Sequence, residues 1–196
     1  TSRGFLHEID NFCKWFSKLD NYQYKIFIAG NHDFGFQDSP NKTKEIIDKY
    51  PNITYLQDDF IYVGDYPDLI KIYGSPWQPE FCNWAFNLPK NGWEIEQKWN
   101  DIPENTDILI THGPSFGQLD KIIGQKDNLG CEILNVRIEK IKPKIHVCGH
   151  IHSGYGYIRK DNTHYFNASI LNEQYFYTQK PMNINWDREN NEIEFI

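Results

Sequence analysis

Three apolar segments of the chain each lead into a glycine-histidine motif. The pairs are Tyr24–Ala29 before GNHD at 30–33, Ile108–Thr111 before His112-Gly113, and Ile145–Cys148 before GHIH at 149–152. Short apolar runs bounded by glycine predict buried β-strands. Because α/β proteins keep their chemistry beyond the carboxyl ends of strands, the three motifs predict a functional site at such strand ends.

The rest of the chain alternates predicted helices and strands. Apolar spacing of three to four residues and helix-stopping prolines predict helices over Phe5–Leu19, Thr43–Tyr50, Glu94–Asn100 and Cys131–Ile141. Further strands are predicted over Ile53–Leu56, Leu69–Tyr73, Tyr155–Ile158, His164–Asn167 and Ile184–Trp186. A length of 196 residues suits a single domain spanning 1–196. The order of elements predicts an α/β fold with a mixed sheet, or a two-sheet sandwich, flanked by helices.

Composition narrows the class of partner. The net charge of −7 provides no overall basic field, so we expect neither duplex nucleic acid nor an anionic membrane surface as a partner. The sequence contains no run of about 20 apolar residues that could span a membrane. Its four cysteines form no C-x-x-C pair. Widely spaced, packed thiols predict a reducing, cytoplasmic location.

Five residues at the three strand ends can donate nitrogen or oxygen to a metal ion: Asn31, His32, His112, His150 and His152. Imidazole suits Zn, Fe, Mn and Ni, whereas an amide oxygen favours harder ions such as Mn and Mg. On an extended strand the last two histidines would point to the same face. In a loop they would diverge and could reach two neighbouring ions.

A histidine at a strand end is more often a hydrogen-bonded structural residue, and this interpretation is adopted for His7, His146 and His164. Taken alone, Asn31 would be interpreted as a turn residue, and Asp33 as a turn residue or a helix cap. Three similar motifs after three apolar strands favour a shared metal site instead.

The motifs Gly30-Asn31-His32-Asp33, Thr111-His112-Gly113 and Gly149-His150-Ile151-His152 resemble the third, fourth and fifth blocks of the calcineurin-like metallophosphoesterases. GSPWQPEFCNWAFN at 74–87 and KIHVCGHIHSGYG at 144–156 resemble the metallophosphoesterase-domain-containing (MPPED) subgroup, which is related to class III cyclic nucleotide phosphodiesterases. The resemblance runs from Thr1 to about Ser169.

The resemblance implies a two-sheet sandwich flanked by helices (αββα) and a phosphoesterase that uses two divalent ions. In that family the ions hold the phosphoester and activate a hydroxide. Carried over by motif, Asn31, His112 and His150 would bind one ion and His152 the other. The implied metal is Mn, with Fe, Zn, Mg and Ni as alternatives, and the implied substrate is a small phosphoester or a nucleotide.

Two further roles follow from the same resemblance. His32 would be catalytic, lying beside the phosphate and stabilising or protonating the leaving oxygen. Asp33 would lie behind the ligands and orient them, although its interpretation as a plain turn residue is equally consistent with the sequence.

The family pattern also opens with an Asp-x-His block and a Gly-Asp block, and no Asp-x-His occurs in this chain. Thr1-Ser2-Arg3-Gly4 resembles the end of the second block, so we expect a fold truncated at its N terminus. Such a truncation would leave an unpaired sheet edge that another chain or a homo-oligomer could cover.

Three alternatives stay open. One is a non-catalytic nucleotide- or phosphate-binding module with a degenerate metal site. Another is a structural zinc site built from His112, His150 and His152, which is disfavoured because such sites usually carry four Cys or His ligands. The aromatic segment Trp77–Phe86 could stack on a nucleobase or cover the sheet edge, and the second use is the commoner one.

Neutral ligands alone bind hard cations weakly, because they do not offset the desolvation of the ion. We therefore predict that this chain binds at most one ion well and is inactive or nearly so. A chain extended by the two upstream blocks is predicted to be a metal-dependent phosphodiesterase. The measurement is Mn-stimulated turnover of a generic phosphodiester by both forms, and equal turnover would contradict the prediction.

Overall fold

The computed structural model describes all 196 residues. Its helices are α1 (Leu6–Ser17), α2 (Phe34–Asp38), α3 (Pro40–Ile47), α4 (Trp93–Asn100) and α5 (Glu132–Ile141), with a 3-10 turn at His152–Gly154. Its strands are β1 (Ile26–Phe27), β2 (Thr54–Tyr55), β3 (Asp59–Val63), β4 (Ile70–Ser75), β5 (Gln78–Pro79), β6 (Asn87–Leu88), β7 (Ile108–Thr111), β8 (Ile145–Cys148), β9 (Gly156–Lys160), β10 (Thr163–Asn167), β11 (Ile184–Asp187) and β12 (Glu192–Phe195). The predicted α/β class is confirmed.

A six-stranded sheet in the order β3-β4-β7-β8-β10-β9 forms the centre of the molecule. The inner strands β4, β7, β8 and β10 are mutually parallel, while β3 and β9 pair antiparallel at the two edges. The carboxyl ends of these four parallel strands therefore lie at the same end of the sheet. The loops after β7 and β8, which carry the histidine motifs, begin at this end.

The parallel pair β1-β2 forms a second, smaller sheet over one face of the central sheet. Ile26 and Ile28 pack against the central sheet near Ile108 and Ile110. The alternate residue Phe27 faces the opposite way, toward the core that includes helices α1 to α3. This alternation follows from the two-residue period of an extended strand. The result is the four-layer αββα arrangement.

The two sheets lie very close together at Gly74. A Cβ at this position would lie 2.6 Å from Leu56 Cβ and 2.7 Å from Ile28 Cγ2. Because real Cβ atoms do not approach so closely, only glycine fits between the layers here. The segment that leads to Asn31 is thereby held directly against β4.

The other face of the central sheet is covered by α4 and α5. Trp99, Leu134 and Ile138 of these helices pack on Leu109 and other sheet residues in the largest apolar cluster. Helix α5 begins after Cys131, whose Sγ accepts the N–H of Leu134, and ends at Lys142 in the left-handed conformation. Pro143 follows and prevents the helix from continuing, as the sequence predicts.

Several elements differ from their predicted bounds. Strand β1 is shorter than Tyr24–Ala29 because it pairs with β2 alone. Helix α3 starts at Pro40, since proline is well suited to the first helical turn, and not at Thr43. The edge strand β3 and the final strand β12 were not predicted from the sequence, and most of their residues are exposed. None of the helices is long and apolar enough to span a membrane.

The aromatic segment after β4 is anchored by the carboxylate of Asp58. Its Oδ1 accepts a hydrogen bond from Ser75 Oγ at 2.8 Å. Its Oδ2 accepts from Trp77 Nε1 at 2.8 Å and from Lys98 Nζ at 2.6 Å. Trp77 therefore packs against the protein and does not enter the cleft described below, in line with the covering role favoured from the sequence.

We predict that Asp58→Ala lowers the free energy of unfolding by about 2–3 kcal/mol, because it leaves several donors of this network unpaired. The matched control is Asp48→Ala, which breaks only the exposed ion pair with Lys44 and should cost less than about 0.5 kcal/mol. Urea unfolding of both variants measures the difference. Equal costs would show that the Asp58 network does not stabilise the fold.

Candidate metal centre

The loops after β1, β7 and β8 bring three of the predicted ligands together. Nε2 of His112 lies 2.9 Å from Oδ1 of Asn31 and 3.1 Å from Nδ1 of His150. The last two loops are also joined through the backbone, since the N–H of Gly149 donates to the carbonyl of His112 at 2.9 Å. Residues far apart in the sequence thus form one compact group of donor atoms.

Asp33 holds the turn that presents Asn31. Its Oδ2 accepts the N–H of Gly30 at 2.7 Å, and its own N–H donates to the carbonyl of Gly30 at 2.9 Å. Its other carboxylate oxygen accepts the hydroxyl of Thr1. Asp33 is therefore a turn residue in the loop that carries a candidate ligand, and its role in orienting the ligands stays a prediction.

Thr111 holds the turn that carries His112. Its hydroxyl donates to the carbonyl of Gly113 at 2.7 Å, which leaves the oxygen free to accept from His146 Nε2 at 2.8 Å. His146 is only 1% exposed, and burial lowers its pKa to about 3. It is accordingly a neutral structural residue behind the site. His164 is also buried and bonds Tyr157 and the carbonyl of Asn191.

Burial also keeps the two convergent histidines uncharged. Desolvation, followed by repulsion from neighbouring histidines, lowers the pKa of His112 well below its usual value. The same causes lower the pKa of His150 to about 4. A neutral imidazole keeps a lone pair on one ring nitrogen, and that is the form that binds metals.

The spacing of the three donor atoms suits a divalent ion. Two ligands at about 2.1 Å from one ion lie about 3.0 Å apart at right angles and about 3.4 Å apart at tetrahedral angles. The separations of 2.9 and 3.1 Å match the right-angled arrangement. The protein holds no cluster of three or more His, Cys, Asp or Glu side chains arranged for a metal. A centre at this position therefore depends on the amide of Asn31.

His32 and His152 lie near this group without joining its hydrogen bonds. Nδ1 of His32 lies 3.0 Å from the carbonyl of Ser2, and its ring packs on Trp84 at 4.3 Å. Nδ1 of His152 lies 2.8 Å from the carbonyl of Asn172. The separate roles predicted for these two histidines agree with this separate placement, and they stay predictions.

A cleft of about 990 Å³ joins the five predicted residues other than Asp33. Its walls add residues that the motifs did not identify, among them Phe81, Trp84, Lys90, Glu173 and Tyr175. The first two lie in the aromatic segment Trp77–Phe86, for which the sequence left base stacking open as the less common of two uses. The last two belong to a loop after β10 with no signal in its sequence. A smaller cavity of about 350 Å³ adjoins Asn31 and His112.

All four cysteines are free thiols, and only Cys82 is exposed. Cys148, which precedes the GHIH motif, is buried, and burial raises its pKa. A buried thiol with a raised pKa is a poor metal ligand, because the thiolate is the form that coordinates. Cys148 is therefore a small packing residue, as the sequence suggested.

The fold and the histidine-rich strand ends agree with the resemblance to the calcineurin-like metallophosphoesterases. The family model for calcineurin-like phosphoesterases matches residues 1–154. The chain belongs to this family of hydrolases, whose members generally use divalent metal ions. Its assignment as a single domain over 1–196 stays a prediction.

Curated relatives show which members of the family this chain resembles. The chain is 40% identical over 192 residues to metallophosphoesterase domain-containing protein 1 of Homo sapiens, with 89% of this chain and 58% of that protein covered. It is 35% identical over 209 residues to a UPF0046 protein of Caenorhabditis elegans, with 93% of this chain and 51% of that protein covered. The chain thus spans little more than half the length of these curated relatives.

Among solved structures, the crystal structure of the Thermus thermophilus protein TT1561 has the same fold, with a TM-score of 0.64 at 12% identity. The match covers 100% of this chain and 80% of that one.

Gly30 lies against the ring of His112, and a Cβ there would come within 2.5 Å of Nδ1. We predict that Gly30→Ala displaces the ring and weakens Mn²⁺ binding by at least about tenfold. Gly113→Ala is the matched control, since its Cβ would meet nothing closer than His150 Cδ2 at 3.9 Å. Calorimetric titration of Mn²⁺ into both variants tests this. The same affinity in both would exclude a role for His112 packing in metal binding.

Proposed function

We propose that the protein is a metal-dependent phosphodiesterase whose site is built on Asn31, His112 and His150. The convergence of their donor atoms within 2.9 and 3.1 Å is the observation that carries the proposal. A bound divalent ion would neutralise charge on the phosphate and lower the pKa of water. Mn is the proposed ion, with Fe, Zn, Mg and Ni as alternatives, because two imidazoles and one amide oxygen suit ions of intermediate hardness.

His32 is the proposed general acid or hydrogen-bond donor to the leaving oxygen. A carbonyl oxygen can only accept, so the contact with Ser2 puts the ring proton on Nδ1. The remaining nitrogen, Nε2, is then free for the substrate, and it can donate to the leaving oxygen only in the doubly protonated ring, in which both nitrogens carry a proton. Packing of the ring on Trp84, which Arg3 covers at 4.7 Å, supports a fixed orientation of His32.

The proposed substrates are small phosphoesters with a flat organic group, with cyclic nucleotides as the favoured class. Support comes from the cleft, which presents the rings of Phe81, Trp84 and Tyr175 together with the cation of Lys90. Aromatic rings stack on bases with about 1–3 kcal/mol each. Phe81 is 57% exposed and Tyr175 is 60% exposed, so neither ring is already fully packed.

One observation favours a second candidate, a non-catalytic module that binds phosphate or nucleotides. The three convergent donors are all neutral, and neutral donors bind hard cations weakly. In that case the cleft would bind phosphate or a nucleotide but would not hydrolyse it.

Location and partners are also proposed. The free thiols support a cytoplasmic protein, because exposed Cys82 would be kept reduced there. The acidic net charge supports partners other than duplex nucleic acid or an anionic membrane. A homo-oligomer is proposed as a cover for the edges of β1 and β2, which have no further strand beside them.

The test is Mn-dependent hydrolysis of bis(4-nitrophenyl) phosphate by the longest naturally encoded form of the protein. We predict that His112→Ala lowers both Mn²⁺ affinity and turnover by at least about tenfold. His32→Gln should lower kcat by about 10²–10⁴-fold with unchanged metal affinity. His7→Ala is the control, because His7 is exposed and stacks only on Phe5.

The pattern of losses separates the two candidates. Turnover that survives both site variants would overturn the proposed centre. Binding of cyclic nucleotide without turnover, under every metal tried, would favour the non-catalytic module.

A further inference from the structure

His152 is held in place by a short hairpin that no sequence motif predicted. The hairpin comprises residues 171–177 and is closed by a bridge between Leu171 and Tyr177. The carbonyl of Asn172 lies 2.8 Å from Nδ1 of His152. Because a carbonyl oxygen only accepts, the ring proton of His152 sits on Nδ1 and the lone pair of the neutral ring is on Nε2. The nitrogen available to a ligand is therefore determined by the hairpin.

Asn172 also organises the hairpin internally. Its Oδ1 accepts the N–H groups of Gln174 and Phe176 at 3.0 and 2.9 Å. Its carbonyl accepts the N–H of Tyr175 at 2.9 Å in addition to the histidine ring. A side-chain oxygen that replaces backbone partners in this way stabilises a tight turn. One residue thus shapes the turn and contacts His152.

A second bond joins the hairpin to the same 3-10 turn. The N–H of Ser153 donates to Oε1 of Glu173 at 3.0 Å. Consecutive residues of the hairpin therefore hold consecutive residues of the turn after β8. Two adjacent bonds restrain the rotation of the turn much better than one, which keeps the ring of His152 in a single orientation.

Tyr175 at the tip of the hairpin contacts both outlying histidines. Its ring lies edge-on to His152 at 5.3 Å between centroids and to His32 at 6.0 Å. Its backbone has φ of 62°, a conformation unusual for tyrosine and imposed here by the turn. The ring thus contacts both histidines across the cleft.

We propose that the hairpin 171–177 is a positioning element of the cleft. Asn172 fixes the orientation and tautomer of His152, and Tyr175 fixes the spacing between His152 and His32. The claim about the tautomer stands independently of the activity, whereas the effect on turnover rests on the proposed phosphodiesterase function.

The direct test is a long-range ¹H–¹⁵N correlation spectrum of the metal-free protein, in which each histidine tautomer has its own pattern. Signals of His152 are assigned with His152→Gln. The expected result is the Nδ1–H tautomer in the wild type, and a mixture of tautomers in Asn172→Ala. Gln174→Ala is the matched control, because the side chain of Gln174 is exposed and makes no hydrogen bond within the protein. It should retain the wild-type pattern.

Mn²⁺ affinity and the effects of conservative variants provide two further tests of the proposal. Mn²⁺ affinity at the ion assigned to His152, measured by calorimetry on the longest naturally encoded form, should fall about tenfold in Asn172→Ala and stay unchanged in Gln174→Ala. Asn172→Asp, which keeps an acceptor oxygen, should restore much of the loss. Should Asn172→Ala fail to fold, Tyr175→Ala serves instead, with lower kcat and an altered His32 environment as its expected effects, while Tyr175→Phe retains both.

An Nε2–H tautomer in the wild type, or identical spectra and affinities in Asn172→Ala and Gln174→Ala, would overturn the positioning role. The expected tautomers without turnover under any metal would leave that role intact and refute the phosphodiesterase function.

Discussion

The contact of His112 with Asn31 and His150 is the constraint on which the rest of the site depends. Nε2 of His112 lies within hydrogen-bond distance of Oδ1 of Asn31 and Nδ1 of His150, which belong to two other loops. Such a contact forms only when the ends of β1, β7 and β8 keep fixed positions relative to one another. The parallel pairing of β7 with β8 fixes one of these relations, and the stacking of the two sheets fixes the other.

The surroundings of His112 explain how a polar cluster persists in a partly buried position. Gly30 leaves room for the ring, Thr111 and His146 hold its turn, and Gly149 bonds its carbonyl. Desolvation favours the uncharged imidazoles, so no unpaired buried charge arises. The outlying His32 and His152 are restrained differently, each through a backbone carbonyl at Nδ1. The cleft therefore combines an inner group of three hydrogen-bonded side chains, Asn31, His112 and His150, with two outlying histidines. In each outlying histidine, a backbone carbonyl at Nδ1 leaves Nε2 as the nitrogen open to a ligand.

Much of this arrangement could be predicted from the sequence. Strands β7 and β8 were predicted with their observed bounds, because inner parallel strands are short apolar runs flanked by turn residues. The motifs at their ends, together with the GNHD motif after β1, identified all four histidines in the cleft. Edge strand β3 was missed although Phe60 to Val63 form an apolar run, because Phe60 and Tyr62 face solvent and the run does not alternate apolar with polar residues. The hairpin 171–177 was missed because side-chain to backbone bonds of Asn172, and no periodic pattern, define it.

Gly74 shows how a residue in the core can govern a distant site. It lies where β4 meets Leu56 and Ile28, and it pairs with Ile110, two residues before His112. Ile28, on the opposite sheet, lies three residues before Asn31. The thickness of the molecule at this glycine therefore sets the gap between two candidate ligands, one delivered by each layer. For the proposed metal site, the space open to an ion would therefore depend on how closely the two sheets stack, as well as on the residues that would contact the ion.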